Sequence, residues 1–173
     1  PHINSLTIDE VCKVINQYNG RLIVLGSGDK KLEQLFTTAM ARNSNLLFLK
    51  GYGQGVGDLM YQLGDLFLMP SSFEPCGISQ MLAMRAGQPC LVHSVGGLKD
   101  TVEHNVTGFS FTGDTLLAQA EALLHSLSEA LNGNHANPKQ WQAIKNSAKN
   151  SRFGWDDVVT DYIRPEFIST NKT

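Results

Sequence analysis

The sequence predicts an α/β fold, doubly wound around a parallel sheet, and three observations carry that prediction. Short apolar runs alternate with segments of helical period through residues 7–111. The runs are continuously apolar rather than alternating with polar residues, as strands covered on both faces are. Each run leads into a glycine-bearing or polar loop, and the intervening helices have the roughly ten residues that right-handed crossovers between parallel strands use.

The elements follow in order. "TIDEVCKVINQYNG" (7–20) sets Ile8, Val11, Val14 and Ile15 on one helical face, with Thr7 as N-cap, Glu10 three residues later and Gly20 closing it. "RLIVLGSG" (21–28) is a strand that runs into glycines, and "DKKLEQLFTTAMARNS" (29–44) is a helix with Leu32, Leu35, Phe36 and Ala39 inward. Strands are then expected over 45–51, 65–71, 88–94 and 108–111, with helices over 57–64, 78–87 and 98–104 between them. After residue 112 the strands stop. Residues 113–173 read as an additional helical part, with helices over 114–132, 138–150 and 154–168 and a polar loop at 132–138. Asn137 and Pro138 open the second of these helices, and Trp155, Val158, Val159, Tyr162 and Ile163 line one face of the third. The 173 residues read as one Rossmann-like domain.

Composition excludes several classes of function. A net charge of −2 gives no basic footprint for nucleic acid or for an anionic membrane. No apolar stretch approaches the ~20 residues of a membrane helix, and the first residues lack the basic-then-apolar plan of a signal peptide, so a cytoplasmic location is expected. Three widely spaced cysteines suggest no disulfide framework, and five histidines without HxH or HExxH spacing suggest no metal site.

In an open parallel sheet, ligands bind beyond the carboxyl ends of the strands. Those ends read "GSGD" (26–29), "GYGQG" (51–55), "PSSFEPCG" (70–77) and "SVGGLKD" (94–100). The first is not a dinucleotide fingerprint, because Lys31 stands where its third glycine belongs, and no GxxxxGK[ST] loop exists. What remains is a helix start: the amides of Gly77, Ile78 and Ser79 lack intrahelical partners and suit a diphosphate. Glu74, three residues upstream, would repel a bare phosphate but suits a ligand that also carries hydroxyls. A sugar nucleotide meets both conditions, with the carboxylate offsetting positive charge at the anomeric carbon while the amides take the charge of the leaving diphosphate. Cys76 has no histidine placed to activate it, so it reads as a small residue lining the pocket rather than a nucleophile.

Residues 65–111, "DLFLMPSSFEPCGISQMLAMRAGQPCLVHSVGGLKDTVEHNVTGFSF", resemble the donor-site signature of bacterial glycogen synthases and plant starch synthases through the blocks PSxFEPCGxxQ and GGLxDTV. The resemblance implies the C-terminal half of a GT-B fold, and a retaining glucosyltransferase that extends an α-1,4-glucan from ADP-glucose or UDP-glucose. It implies that Glu74 contacts the donor glucose, that Gly77, Ile78 and Ser79 surround the diphosphate with Cys76 and Gln80 as further donor-binding residues, and that Tyr52 packs on the nucleobase. Gly26, Gly28 and Asp29 would line the nucleotide side, and Gly96 and Gly97 would lie beside the donor. No cofactor and no catalytic metal are implied. The acceptor glucan would sit on an N-terminal domain that this sequence lacks, and the family's arginine and lysine ahead of the first helix have no counterpart, Lys13 being the only such cation before residue 20. The chain alone is therefore expected to be inactive; a stand-alone nucleotide-sugar-binding or regulatory module is the alternative.

Overall fold

A computed structural model describes residues 5–153, so the helix expected over 154–168, with Trp155 and Tyr162, lies outside the described residues. The described elements run α1 (Ser5–Asn16), β1 (Leu22–Gly26), α2 (Lys30–Arg42), β2 (Leu46–Lys50), α3 (Gln54–Leu63), β3 (Phe67–Met69), α4 (Ser79–Ala86), β4 (Cys90–His93), α5 (Leu98–Thr101), β5 (Gly108–Phe111), α6 (Leu116–Ala136) and α7 (Pro138–Asn150). Every strand pairing is parallel, with Leu22 opposite Leu46, Phe67 opposite Cys90 and Cys90 opposite Gly108. The α/β expectation holds.

The sheet is in two pieces among the described residues, β1–β2 and β3–β4–β5. Among the described residues β1, β2, β3 and β5 are therefore each paired on one side only, and β4 on both. Burial follows from this: β4, flanked on both sides, is buried throughout, whereas β3 is half-exposed throughout and Ile23 of β1 stands 44% exposed.

Helix α1 ties the pieces together. Val11 and Ile15 enter a core with Leu91, Phe109, Phe111, Leu127 and Trp141, while Ile8 and Cys12 enter another with Ala39 and Leu46. Leu22 at the start of β1 packs against both. A third core of Ala83, Met84, Cys90, Val92, Leu98, Val102 and Ala148 lies under α4 and α5 and fixes the floor of the strand-end loops. Each large side chain so buried contributes about 1.5–3 kcal/mol by leaving water. On the outer side of α1, Arg42 and Asn43 hold Asp9 with Nη2–Oδ2 and Nδ2–Oδ1 distances of 2.9 and 2.6 Å, and the Asn43 hydrogen bond, with Arg42 behind it, lowers the Asp9 pKa.

Several boundaries differ from the sequence reading; α5, expected over 98–104, ends at Thr101, and His104 forms a parallel bridge with Gly108. Helix α1 already runs from Ser5, so Thr7 sits inside it and is not its N-cap; the capping-box pattern is local and does not outweigh packing along the whole face. Helix α3 starts at Gln54, earlier than the expected 57, because Gly53 supplies an extended N-cap and the helix tolerates Gly55 and Gly57 at a cost of about 1 kcal/mol each. Helix α6 continues to Ala136, through most of the expected 132–138 loop. Pro138, which must start a helix rather than continue one, sets that boundary; Gly133 does not. Asn137 caps α7 as expected, its side chain accepting from the Gln140 amide at 3.3 Å.

Candidate functional site

The loop between β3 and α4 is suspended from buried groups by its backbone carbonyls. The Ser71 carbonyl lies 2.9 Å from Nδ1 of His93, a buried ring at the end of β4 that stacks on Phe111 with centroids 5.1 Å apart. The Glu74 carbonyl accepts from the Gly97 amide at 3.1 Å. The Cys76 carbonyl accepts from Nε2 of Gln80 at 3.2 Å. Gly77, buried with φ of +72°, then turns the chain into α4.

This suspension leaves the polar groups that matter unengaged. Glu74 is half-buried, and its carboxylate makes no hydrogen bond or ion pair among the described residues. Ile78, at the N-cap of α4, gives no side-chain cap, and the amides of Gly77, Ile78 and Ser79 meet no protein acceptor among the described residues. An eight-residue helix thus presents free N–H groups three positions after an unpaired acid. The N–H groups favour an anion; the carboxylate favours hydroxyls or developing positive charge.

Glycine is required where the second loop crosses the first. A Cβ on Gly97 would fall 2.5 Å from the Cys76 carbonyl oxygen, and one on Gly96, whose φ is +50°, would overlap the Glu74 carbonyl. Glu74, Cys76, Gly77, Gln80, Gly96 and Gly97 are therefore one clamp. Among these, Gln80 is turned inward and completely buried, beneath Gly77.

The other expected residues belong to the β1–β2 piece, and no hydrogen bond or ring contact ties them to the clamp among the described residues. Tyr52 follows β2 and is 91% exposed. Asp29 caps α2, its carboxylate accepting from the amides of Lys31 at 2.7 Å and Leu32 at 3.3 Å. The Gly28 amide donates to Glu33 Oε1 at 3.1 Å, and Glu33 pairs with Lys50 at 2.8 Å. Lys50, then the Gly28 amide, holds the Glu33 carboxyl below its ordinary range. Gly26 ends β1 with open space around it. Sequence reasoning missed His93, Glu33 and Lys50 as parts of the loop scaffold; His93 sat at the end of an apolar run, and no spacing marks a side chain that bonds a distant carbonyl. A cavity of about 300 Å³ lies elsewhere, near the start of β5, lined by His104, Phe109, Glu129, Gln140, Trp141 and Ile144.

Thiol chemistry gives a direct check on the clamp. Cys76 is exposed, while Cys12 and Cys90 are buried, and burial raises both thiol pKa values, most of all that of Cys90. One thiol per chain is expected to react with a disulfide reagent in the native protein, and all three after denaturation. A second fast thiol in the native state would contradict this packing.

Parallel strands, an uncapped helix start and a carboxylate without a protein partner among the described residues define an α/β domain of the Rossmann-like class with a candidate ligand site beyond its strand ends. Residues 7–150 match the family model "Glycosyl transferases group 1", and the chain belongs to that family. It is 39% identical to glycogen synthase of Aeromonas salmonicida over 150 residues, 82% of this chain and 30% of that protein. The chain thus spans under a third of that relative's length. Among solved structures, it resembles the catalytic domain of starch synthase IV from Arabidopsis thaliana bound to ADP and acarbose, with a TM-score of 0.62 and 19% identity over 98% of this chain and 45% of that one. It also resembles Anabaena HepE in complex with UDP-glucose, with a TM-score of 0.65 and 20% identity over 92% of this chain and 44% of that one. Among the described residues no helix is long and apolar enough to cross a membrane, and no group of histidines, cysteines and acids is placed to hold a metal.

Proposed function

We propose that the chain is the donor-binding domain of a retaining glucosyltransferase that moves glucose from ADP-glucose or UDP-glucose to the non-reducing end of an α-1,4-glucan. The observation that carries this reading is the half-buried Glu74 without a protein partner, held three residues before the free amides of Gly77, Ile78 and Ser79. The amides receive the diphosphate, whose charge grows as the glycosidic bond breaks. Glu74 accepts hydrogen bonds from glucose hydroxyls and offsets charge at the anomeric carbon. Tyr52, exposed at the end of β2, offers a face for the base. The glycogen synthase relative and the nucleotide-bound neighbours support a sugar nucleotide as ligand, and the neighbours include both ADP and UDP forms. Acceptor binding and transfer are assigned to a partner domain across the cleft, so these 173 residues alone elongate no glucan.

Calorimetric titration with ADP, UDP and their glucose conjugates tests the reading. A glucose conjugate is expected to bind more tightly than its bare nucleotide, and Glu74→Gln to remove about tenfold of that gain while leaving the bare nucleotide's affinity unchanged, in line with the loss of charge-assisted hydrogen bonds. No binding of any of the four at millimolar concentration removes the reading.

A further inference from the structure

The hydrogen bonds of the clamp form a closed ring through a buried amide. Nε2 of Gln80 donates to the Cys76 carbonyl at 3.2 Å and to Oγ1 of Thr101 at 3.2 Å. Thr101 in turn donates to the Gly97 carbonyl at 2.9 Å, and the Gly97 amide donates to the Glu74 carbonyl at 3.1 Å. The ring joins the β3–α4 loop, α4, α5 and the β4–α5 loop. Gln80 is the only side chain in it that bonds to both halves of the clamp, and it does so from complete burial. Its Oε1 has no donor among the described residues, although an apolar side chain of the same length would fill the space without stranding a polar atom. The amide is thus poorly suited to being mere filler and well suited to being a two-headed donor.

We propose that Gln80 is a positioning residue: with Thr101 it locks the Glu74 loop to the Gly96–Gly97 loop from inside the protein, and so sets where the Glu74 carboxylate and the α4 amides stand relative to each other. This rests on the donor-site reading above for its consequence, though not for its geometry. A loop held only by the surface bond between Gly97 and Glu74 opens more often, and the acid then drifts relative to the amides. The Gly97 amide reports this opening directly, because its exchange with solvent requires the clamp to part.

The test is residue-resolved hydrogen exchange on the whole chain, with Gln80→Met, Thr101→Val and Thr101→Ser. The first two are expected to speed Gly97 exchange about tenfold, the effect of losing a hydrogen bond of ordinary net strength on a local opening. Amides of Leu91 and Val92 in β4 should keep their wild-type rates, and Thr101→Ser, which retains the hydroxyl, should keep Gly97 protected. Should Gln80→Met fail to fold, Thr101→Val carries the test alone. An unchanged Gly97 rate in the folded variants overturns the proposal, as does a uniform acceleration that includes β4. In calorimetry the same two variants should lose the affinity gain from glucose while still binding bare nucleotide. A wild-type chain that binds no sugar nucleotide but shows the exchange pattern would sink the donor reading and leave the brace standing.

Discussion

Gly96→Ala is expected to lower the melting midpoint by about 6–12 °C and to abolish sugar-nucleotide binding, the larger effect for a single added methyl group. Two costs combine. Alanine at a φ of +50° pays about 1–2 kcal/mol that glycine does not. The methyl also overlaps the Glu74 carbonyl, a backbone group that cannot rotate away, so the two loops must separate and the hydrogen bond from the Gly97 amide is lost. Together these come to about 3 kcal/mol, and each kcal/mol shifts the midpoint of a chain this size by about 2–4 °C. Gly28→Ala is the control: nothing lies near its would-be Cβ, and its change should stay within about 0.5 kcal/mol. Calorimetric melting of the two variants, followed by titration with ADP-glucose and UDP-glucose, checks both halves. A Gly96→Ala protein that melts with wild type would mean that the loops do not touch.

The contrast between these glycines shows what the sequence could reveal. "GSGD" and "SVGG" look alike as strings, and both stand at strand ends. The strand-end rule set each of them in a loop that follows a strand, because continuous apolar runs, crossover lengths and the Gly77 helix start are all local signals. Which glycine meets another backbone is not local. It depends on how the β4–α5 loop crosses the β3–α4 loop, and that is set by the core beneath them, where Met84, Val92 and Leu98 pack together. The inward turn of Gln80 was hidden for the same reason: an exposed-looking amide after PSxFEPCG is buried where Thr101 of α5 meets it. The division of the strands into two sheets was not legible in the sequence, which predicted one parallel sheet, and the extension of α6 through Gly133 required knowing that Pro138 outweighs one glycine in a long helix.

Trp141→Ala is expected to destabilise the chain by about 4 kcal/mol, in the middle of the range for deleting a buried aromatic side chain. Trp141 is 6% exposed and stacks on Phe109 with ring centroids 5.7 Å apart, joining α7 to the edge strand β5. The cavity already beside it means that neighbours have no tight packing to relax into, so the new void merges with the old rather than collapsing. The midpoint should fall by about 8–16 °C, whereas Trp141→Phe, which keeps a ring against Phe109, should lose less than half as much. Such a loss takes a large share of the 5–15 kcal/mol that holds a typical domain. Yet no hydrogen bond or ring contact ties Trp141 to the clamp among the described residues, and a ligand that binds only the native state should raise the midpoints of variant and wild type alike. Thermal scans with and without ADP-glucose or UDP-glucose separate the two effects: a variant that melts early but keeps its ligand-induced shift has lost core and not site, whereas one that loses the shift while still folded would place Trp141 in the binding machinery.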